Sequence, residues 1–157
     1  MALRHRLIGQ AARLYWFVRR PRTLGVRAIV LDPNSHIALV RHTYTAAWYL
    51  PGGGVKKGES CEAALRRELR EEIAVADGKV ERLLGVYHSR RQSKDDHILV
   101  FVVRLEADTA ASLRVADPME IEEAAWFSLD ALPPTVSPAT ARRIAEYRAA
   151  GLGLGTW

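Results

Sequence analysis

The sequence predicts a mixed α/β (α+β) fold with a largely antiparallel component, and three observations carry that prediction. Segments of alternating apolar and polar residues, bounded by turn chemistry, stand on both sides of one strongly amphipathic helix. The elements run approximately in the order βββαβββαα, which places strands and helices in one mixed core. The length, 157 residues, is that of one domain, which buries about two thirds of its unfolded surface without a disulfide or structural metal.

The elements follow from the N-terminus. Residues 1–22 read as a separate basic extension, and residues 23–157 as the domain. Within the extension Leu7, Ala11, Leu14, Tyr15 and Val18 recur at helical spacing, with arginines at both ends. That amphipathic helix can pack on the domain or on a second copy in a homodimer. Trp16 and Phe17 beside Arg19 and Arg20 also suit a membrane surface, and the arginines suit a nucleic acid. From Thr23 the period becomes two: Leu24, Val26, Ala28 and Val30 alternate up to the turn Asp32-Pro33-Asn34-Ser35. His36 to Arg41 returns as the partner of a hairpin, and a loop runs from His42 to Gly54. Glu59 to Ile73 has helical periodicity, whereas Val80 to His88 and His97 to Leu105 read as strands around the polar loop Ser89 to Asp96. A strand at Ala124 to Phe127 follows. Ser128 is placed to cap a short helical turn that Pro133-Pro134 stops, and Ser137-Pro138 opens the last helix.

Composition narrows the function classes. With 48% hydrophobic and 26% charged residues the chain is not globally disordered. Its longest uninterrupted apolar run in the extension, Leu14 to Val18, is too short to cross a bilayer, and no secretory signal pattern is present. One cysteine, Cys61, forms no internal disulfide or zinc cluster, which points to a reducing, cytoplasmic compartment. The formal charge of +5 is concentrated at one end: residues 1–31 hold seven arginines and no acid. Removing those seven from the 23 basic residues leaves 16 against 18 acids, so residues 32–157 carry −2. The body of the protein is mildly acidic.

Its acids are grouped. On a helix Glu68, Glu71 and Glu72 fall within an arc of about 100°, beside the apolar stripe of Leu65, Leu69 and Ile73. Three carboxylates at the edge of a packed face repel one another, and a divalent cation relieves that repulsion. Hard oxygen donors with no His or Cys partner favour Mg²⁺ or Mn²⁺. Arg67 and Glu59, two turns apart, can form a salt bridge that orients the acidic face. The loop Gly52-Gly53-Gly54 lets a backbone carbonyl approach a metal or phosphate.

Gly53, five residues, Glu59, seven residues, then Arg67-Glu68-Leu69-Arg70-Glu71-Glu72-Ile73-Ala74-Val75 resembles the box that defines the Nudix hydrolases. One specified position departs: Ala74 stands where the family has glycine, which concerns the turn after the helix more than metal binding. The resemblance covers roughly residues 23–149 and implies a Nudix-like α/β/α sandwich with a mixed sheet. It implies hydrolysis of a nucleoside diphosphate derivative by attack of water on phosphorus, with Mg²⁺ or Mn²⁺ as cofactor and a small-molecule nucleotide as partner. It also implies that Glu71 and Glu72 are metal ligands, with Glu68 a ligand or its support. A carbonyl of Gly52 or Gly53 would complete the shell, and Glu59 and Arg67 would orient it.

Outside the box the assignments are freer. A later glutamate often supplies the general base or a further ligand in this family; Glu120 is favoured over Glu122 and Glu123, and Asp95, Asp96 and His97 compete for the role. Tyr44, Trp48, Tyr49 and Tyr87 are candidates to stack on a base. Arg41, His42, Arg90 and Arg91 are candidates to meet phosphates. Signatures of the NADH, coenzyme A and ADP-ribose branches are absent, which favours a nucleoside triphosphate, with ADP-ribose or a nucleotide sugar as the alternative. A non-catalytic binding module on the same fold would be expected to have lost the box glutamates, and all are present.

Overall fold

The alternating segments form a seven-stranded mixed sheet in the computed structural model, which describes residues 22–90, 95–151 and 153–157. In chain order the elements are β1 (Arg22–Leu31), β2 (Ile37–His42), β3 (Trp48–Tyr49), α1 (Cys61–Ile73), β4 (Lys79–Ser89), β5 (Asp95–Arg104), α2 (Ala107–Ala111), β6 (Ile121–Phe127), α3 (Pro138–Arg148) and β7 (Gly153–Thr156). The sheet runs β3-β2-β1-β5-β4-β7, and β6 pairs with β2. β1 lies parallel to β5 from Arg22↔Asp95 to Leu31↔Arg104, and β7 lies parallel to β4; the β4–β5 and β2–β6 pairs are antiparallel.

Strand alternation divides the core into two layers. Val26, Ala28, Val30, Ala38 and Val40 pack with Leu65, Leu69 and Ile73 of α1. Ile29, Leu31, Ile37 and Leu39 face the other way and pack with Ile144 of α3. The expected α/β/α sandwich follows directly from this period of two. No helix among the described residues is long and apolar enough to cross a membrane.

Local chemistry sets the helix ends. Ser60 Oγ accepts the Ala63 N–H at 3.1 Å and starts α1. Ala74 ends it at φ 59° and ψ 22°, in the left-handed conformation that the box glycine would take more easily. Ser137 Oγ accepts the Thr140 N–H at 3.2 Å and Pro138 follows it, as expected for the last helix.

The structure departs from the expected elements at three places. The loop from His42 to Gly54 contains β3, whose two residues are too few to show a period. Ser128 caps no helix: its Oγ accepts the Asp130 N–H at 3.2 Å within a simple turn. A short helix, α2, appears instead between β5 and β6, and the chain ends on β7 after its last helix. The helix expected in residues 1–22 lies outside the described residues, save Arg22, which opens β1.

Candidate active site

The glycine loop is fastened to β1. Pro51 and Gly53 carbonyls accept the N–H groups of Ala28 and Val26 at 2.9 Å each, and Val55 N–H donates to Leu24 O at 2.9 Å. The approach is close enough to require glycine. Gly52 has φ 133°, and a Cβ there would stand 2.2 Å from Val26 O. A Cβ on Gly53 would stand 2.5 Å from the Glu68 carboxylate. The loop is thereby pressed between β1 and the acids of α1, with the Gly52 N–H donating to Glu72 Oε2 at 2.7 Å.

Arg67 organises the outer acids. Its Nε and Nη2 donate to the two carboxylate oxygens of Glu59 at 2.8 and 2.9 Å, while Nη1 reaches Glu68 at 2.7 Å and Glu71 at 3.1 Å. Nη2 also donates to Gly54 O at 2.9 Å, which ties the helix back to the loop. The Arg67 bonds, with the Lys56 N–H, hold the Glu59 carboxyl at about 2, and Glu59 raises the Arg67 guanidinium in turn.

Glu72 is treated differently. It is 3% exposed and makes no ion pair among the described residues. Burial pushes its carboxyl up to about 7 against the pull of the Gly52 N–H and the Arg27 charge, with smaller upward pushes from Glu68 and Glu120. His42 and Glu120 close on it from the strand side. Candidate ligand atoms of His42, Glu72 and Glu120 all lie within 4.8 Å of one another. Residues 38, 40 and 42 share the face that α1 covers, and an irregularity in the β2–β6 register falls between Arg41 and His42. Thr43 N–H donates to Glu120 O at 2.9 Å and holds the turn before β6 against the end of β2. His42 is buried, its Nδ1 has no hydrogen-bond partner among the described residues, and burial and Arg27 lower its pKa. A buried carboxylate without a cationic partner, a second acid and an unanswered ring nitrogen fit a divalent cation.

Comparison with known proteins decides the family. The NUDIX domain profile matches residues 21–147, most of the chain. The protein belongs to the Nudix family. It is 32% identical over 126 residues to a putative 8-oxo-dGTP diphosphatase of Bacillus subtilis (strain 168), covering 80% of each chain. It is also 32% identical over 107 residues to an ADP-ribose pyrophosphatase of Methanocaldococcus jannaschii, spanning 66% of this chain and 61% of that protein. Among solved structures, a MutT NUDIX hydrolase from Burkholderia pseudomallei superposes with a TM-score of 0.65 at 26% identity, covering 80% of this chain and 98% of that one. A UDP-X diphosphatase does so with a TM-score of 0.66 at 26% identity, covering 96% and 80%. The chain is a Nudix hydrolase, an enzyme of the pyrophosphohydrolase class.

Around the Nudix box the other candidates separate. Tyr44 is 76% exposed and stacks on His42 at 5.1 Å, and Tyr49 packs at an angle on the same ring. Trp48 is 7% exposed and set edge-on against Phe127 at 4.8 Å, so its role is packing. Tyr87 corrects the sequence reading more sharply: it is 1% exposed in the core beneath α3, where no base can reach it. Arg41 is engaged by Glu122 and Glu123 at 2.9 and 2.7 Å, which leaves Glu120 as the acid of that trio turned to the box. Arg90 is exposed just past β4, and Arg91 lies outside the described residues. Asp95 pairs with His88 and lies 3.8 Å from Arg22, while His97 packs on the His88 ring at 5.1 Å. Asp96 lines an open cleft of about 350 Å³ together with Gly53, Gly54 and Arg27. Arg27 and the ligand-like placement of His42 were not found by spacing. Position 42 sets a buried polar side chain just past the apolar run Ile37 to Val40, and that is the signal the sequence offers.

Proposed function

We propose that this Nudix hydrolase cleaves the pyrophosphate bond of a nucleoside triphosphate, with Mg²⁺ or Mn²⁺ held by Glu68, Glu71 and Glu72 and with Glu120 as the general base. The observation that carries the reading is Glu72: a buried carboxylate fixed by the Gly52 N–H, without a cationic partner among the described residues, beside Glu120 and His42. The Gly52 carbonyl accepts no backbone hydrogen bond among the described residues, so it is the better carbonyl donor of the loop. A bound cation neutralises pyrophosphate oxygens and lowers the pKa of coordinated water.

The residues supply positioning and proton transfer. Arg67 and Glu59 hold Glu68 and Glu71 in place. The new P–O bond forms from water as the anhydride P–O bond breaks, and Glu120 takes the water proton. Arg27 and the glycine loop line the cleft that receives the phosphates, and exposed Tyr44 offers its ring to the base. Likeness to a putative 8-oxo-dGTP diphosphatase supports a triphosphate substrate. ADP-ribose or a nucleotide sugar is the second reading, favoured by the likeness to an ADP-ribose pyrophosphatase. The free Cys61 agrees with work in the cytoplasm.

A panel of nucleoside triphosphates, ADP-ribose and nucleotide sugars, assayed with Mg²⁺ and with Mn²⁺, separates these readings. A triphosphate should have the highest kcat/KM; a higher value for ADP-ribose selects the alternative.

A further inference from the structure

We propose that His42 is itself a ligand of the cation, giving the site a nitrogen donor beside Glu72 and Glu120 and shifting its preference from Mg²⁺ towards transition-metal ions. The proposal rests on the cation-dependent reading above and adds to it a residue outside the Nudix box. It also revises the all-oxygen donor set inferred from the helix alone.

Three observations converge on His42. One ring nitrogen lies within 4.8 Å of carboxylate oxygens of both Glu72 and Glu120. Opposite ligands of one cation with bonds of about 2.1 Å stand ~4.2 Å apart, so small side-chain rotations suffice to enclose an ion. Second, His42 is 8% exposed and its Nδ1 is buried with no partner among the described residues. An imidazole nitrogen left this way has lost its water without gaining a hydrogen bond, a deficit that a ligand removes. Third, the ring is held: Tyr44 stacks on it at 5.1 Å with 19° between planes, and Tyr49 packs at 5.7 Å and 58°. The contacts act on the ring plane and set the direction of its nitrogens, as a preorganised ligand requires. Imidazole is a poor partner for Mg²⁺ and a good one for first-row transition metals, so the expected order is Co²⁺ or Mn²⁺ over Mg²⁺.

The test uses the full chain loaded with Mn²⁺ and electron spin-echo spectroscopy. The echo should show ¹⁴N modulation from a directly bound imidazole, replaced by the ¹⁵N pattern when the protein carries ¹⁵N-histidine. His42→Gln should lose the modulation while still binding Mn²⁺. By calorimetry it should bind Co²⁺ at least about 10-fold more weakly, with Mg²⁺ affinity little changed. If that variant does not fold, His42→Asp, which returns an oxygen donor, is read in the same way. Bound Mn²⁺ without ¹⁴N modulation, or modulation that survives in the variant, overturns the role of His42 and leaves the cation-dependent reading standing. Failure of the wild-type protein to bind Mn²⁺ overturns both.

Discussion

Two clusters of buried polar side chains lie on opposite faces of the sheet, and they are satisfied in opposite ways. Beneath α3, Arg143 is 3% exposed and stacks on the Tyr87 ring at 3.8 Å. Its Nη2 donates to Glu146 at 2.7 Å and its Nη1 to Thr156 O at 3.1 Å, while Tyr87 donates to Glu146 at 2.6 Å. Among the described residues only Nε lacks a partner. Charge meets charge there, and the network fastens β7 to α3. Beneath α1, among the described residues, Glu72 has a backbone N–H but no cationic side chain, and His42 Nδ1 has no partner. A polar cluster that answers itself is architecture; one left unanswered has a ligand to wait for.

The largest expected break in this symmetry is Glu72→Gln. It keeps the size of the side chain and an acceptor for Gly52 N–H, so the fold should persist. Cation-dependent kcat/KM should fall on the order of 10³-fold, about 4 kcal/mol of transition-state stabilisation. Arg143→Ala should do the reverse. It strands Glu146 and removes the stack on Tyr87, at a cost of about 2–3 kcal/mol after allowing for the partial exposure of Glu146. Thermal melts should fall by about 5–10 °C, while turnover per folded molecule stays near wild type.

The pH dependence sharpens the contrast further. In cation-free protein the folded Glu72 carboxyl titrates at about 7 and its ordinary value is 4.5. The folded state therefore holds the extra proton between those values, and stability falls as pH rises through that window. The loss is on the order of 3 kcal/mol by pH 8. Glu72→Gln should flatten that part of the profile in denaturant melts, making the inactive variant more stable than cation-free wild type at pH 8. Saturating Mn²⁺ should restore the wild type. The smallest effect belongs to Ala74, whose φ of 59° strains an L-residue. Ala74→Gly should raise stability by about 1 kcal/mol, or ~2–4 °C in Tm, without changing activity.

Legibility in the sequence tracks how local each determinant is. β1 shows its alternation, β2, β4 and β5 are apolar segments bounded by polar residues, and α1 and α3 carry serine caps, so all six can be read from neighbouring residues. β7 cannot: Gly153 and Gly155 give it no period, and it exists because it pairs with β4. A Cβ at Gly153 would stand 1.6 Å from the Tyr87 hydroxyl, a constraint set by a residue 66 positions away. The acids of α1 follow from spacing on one helix. His42 and Glu120 join Glu72 from 30 and 48 residues away, through a sheet register that no local pattern encodes. Tyr87 misleads for the same reason: an aromatic on a strand looks alike whether it faces a cleft or a second core layer.

Hydrolysis of a nucleoside triphosphate by protein freed of metal with a chelator, then resupplied with Mn²⁺, tests the central claim most directly. The account predicts no turnover after chelation and recovery with Mn²⁺ in wild type but not in Glu72→Gln. Turnover that survives chelation, or that Glu72→Gln retains in full, would contradict it.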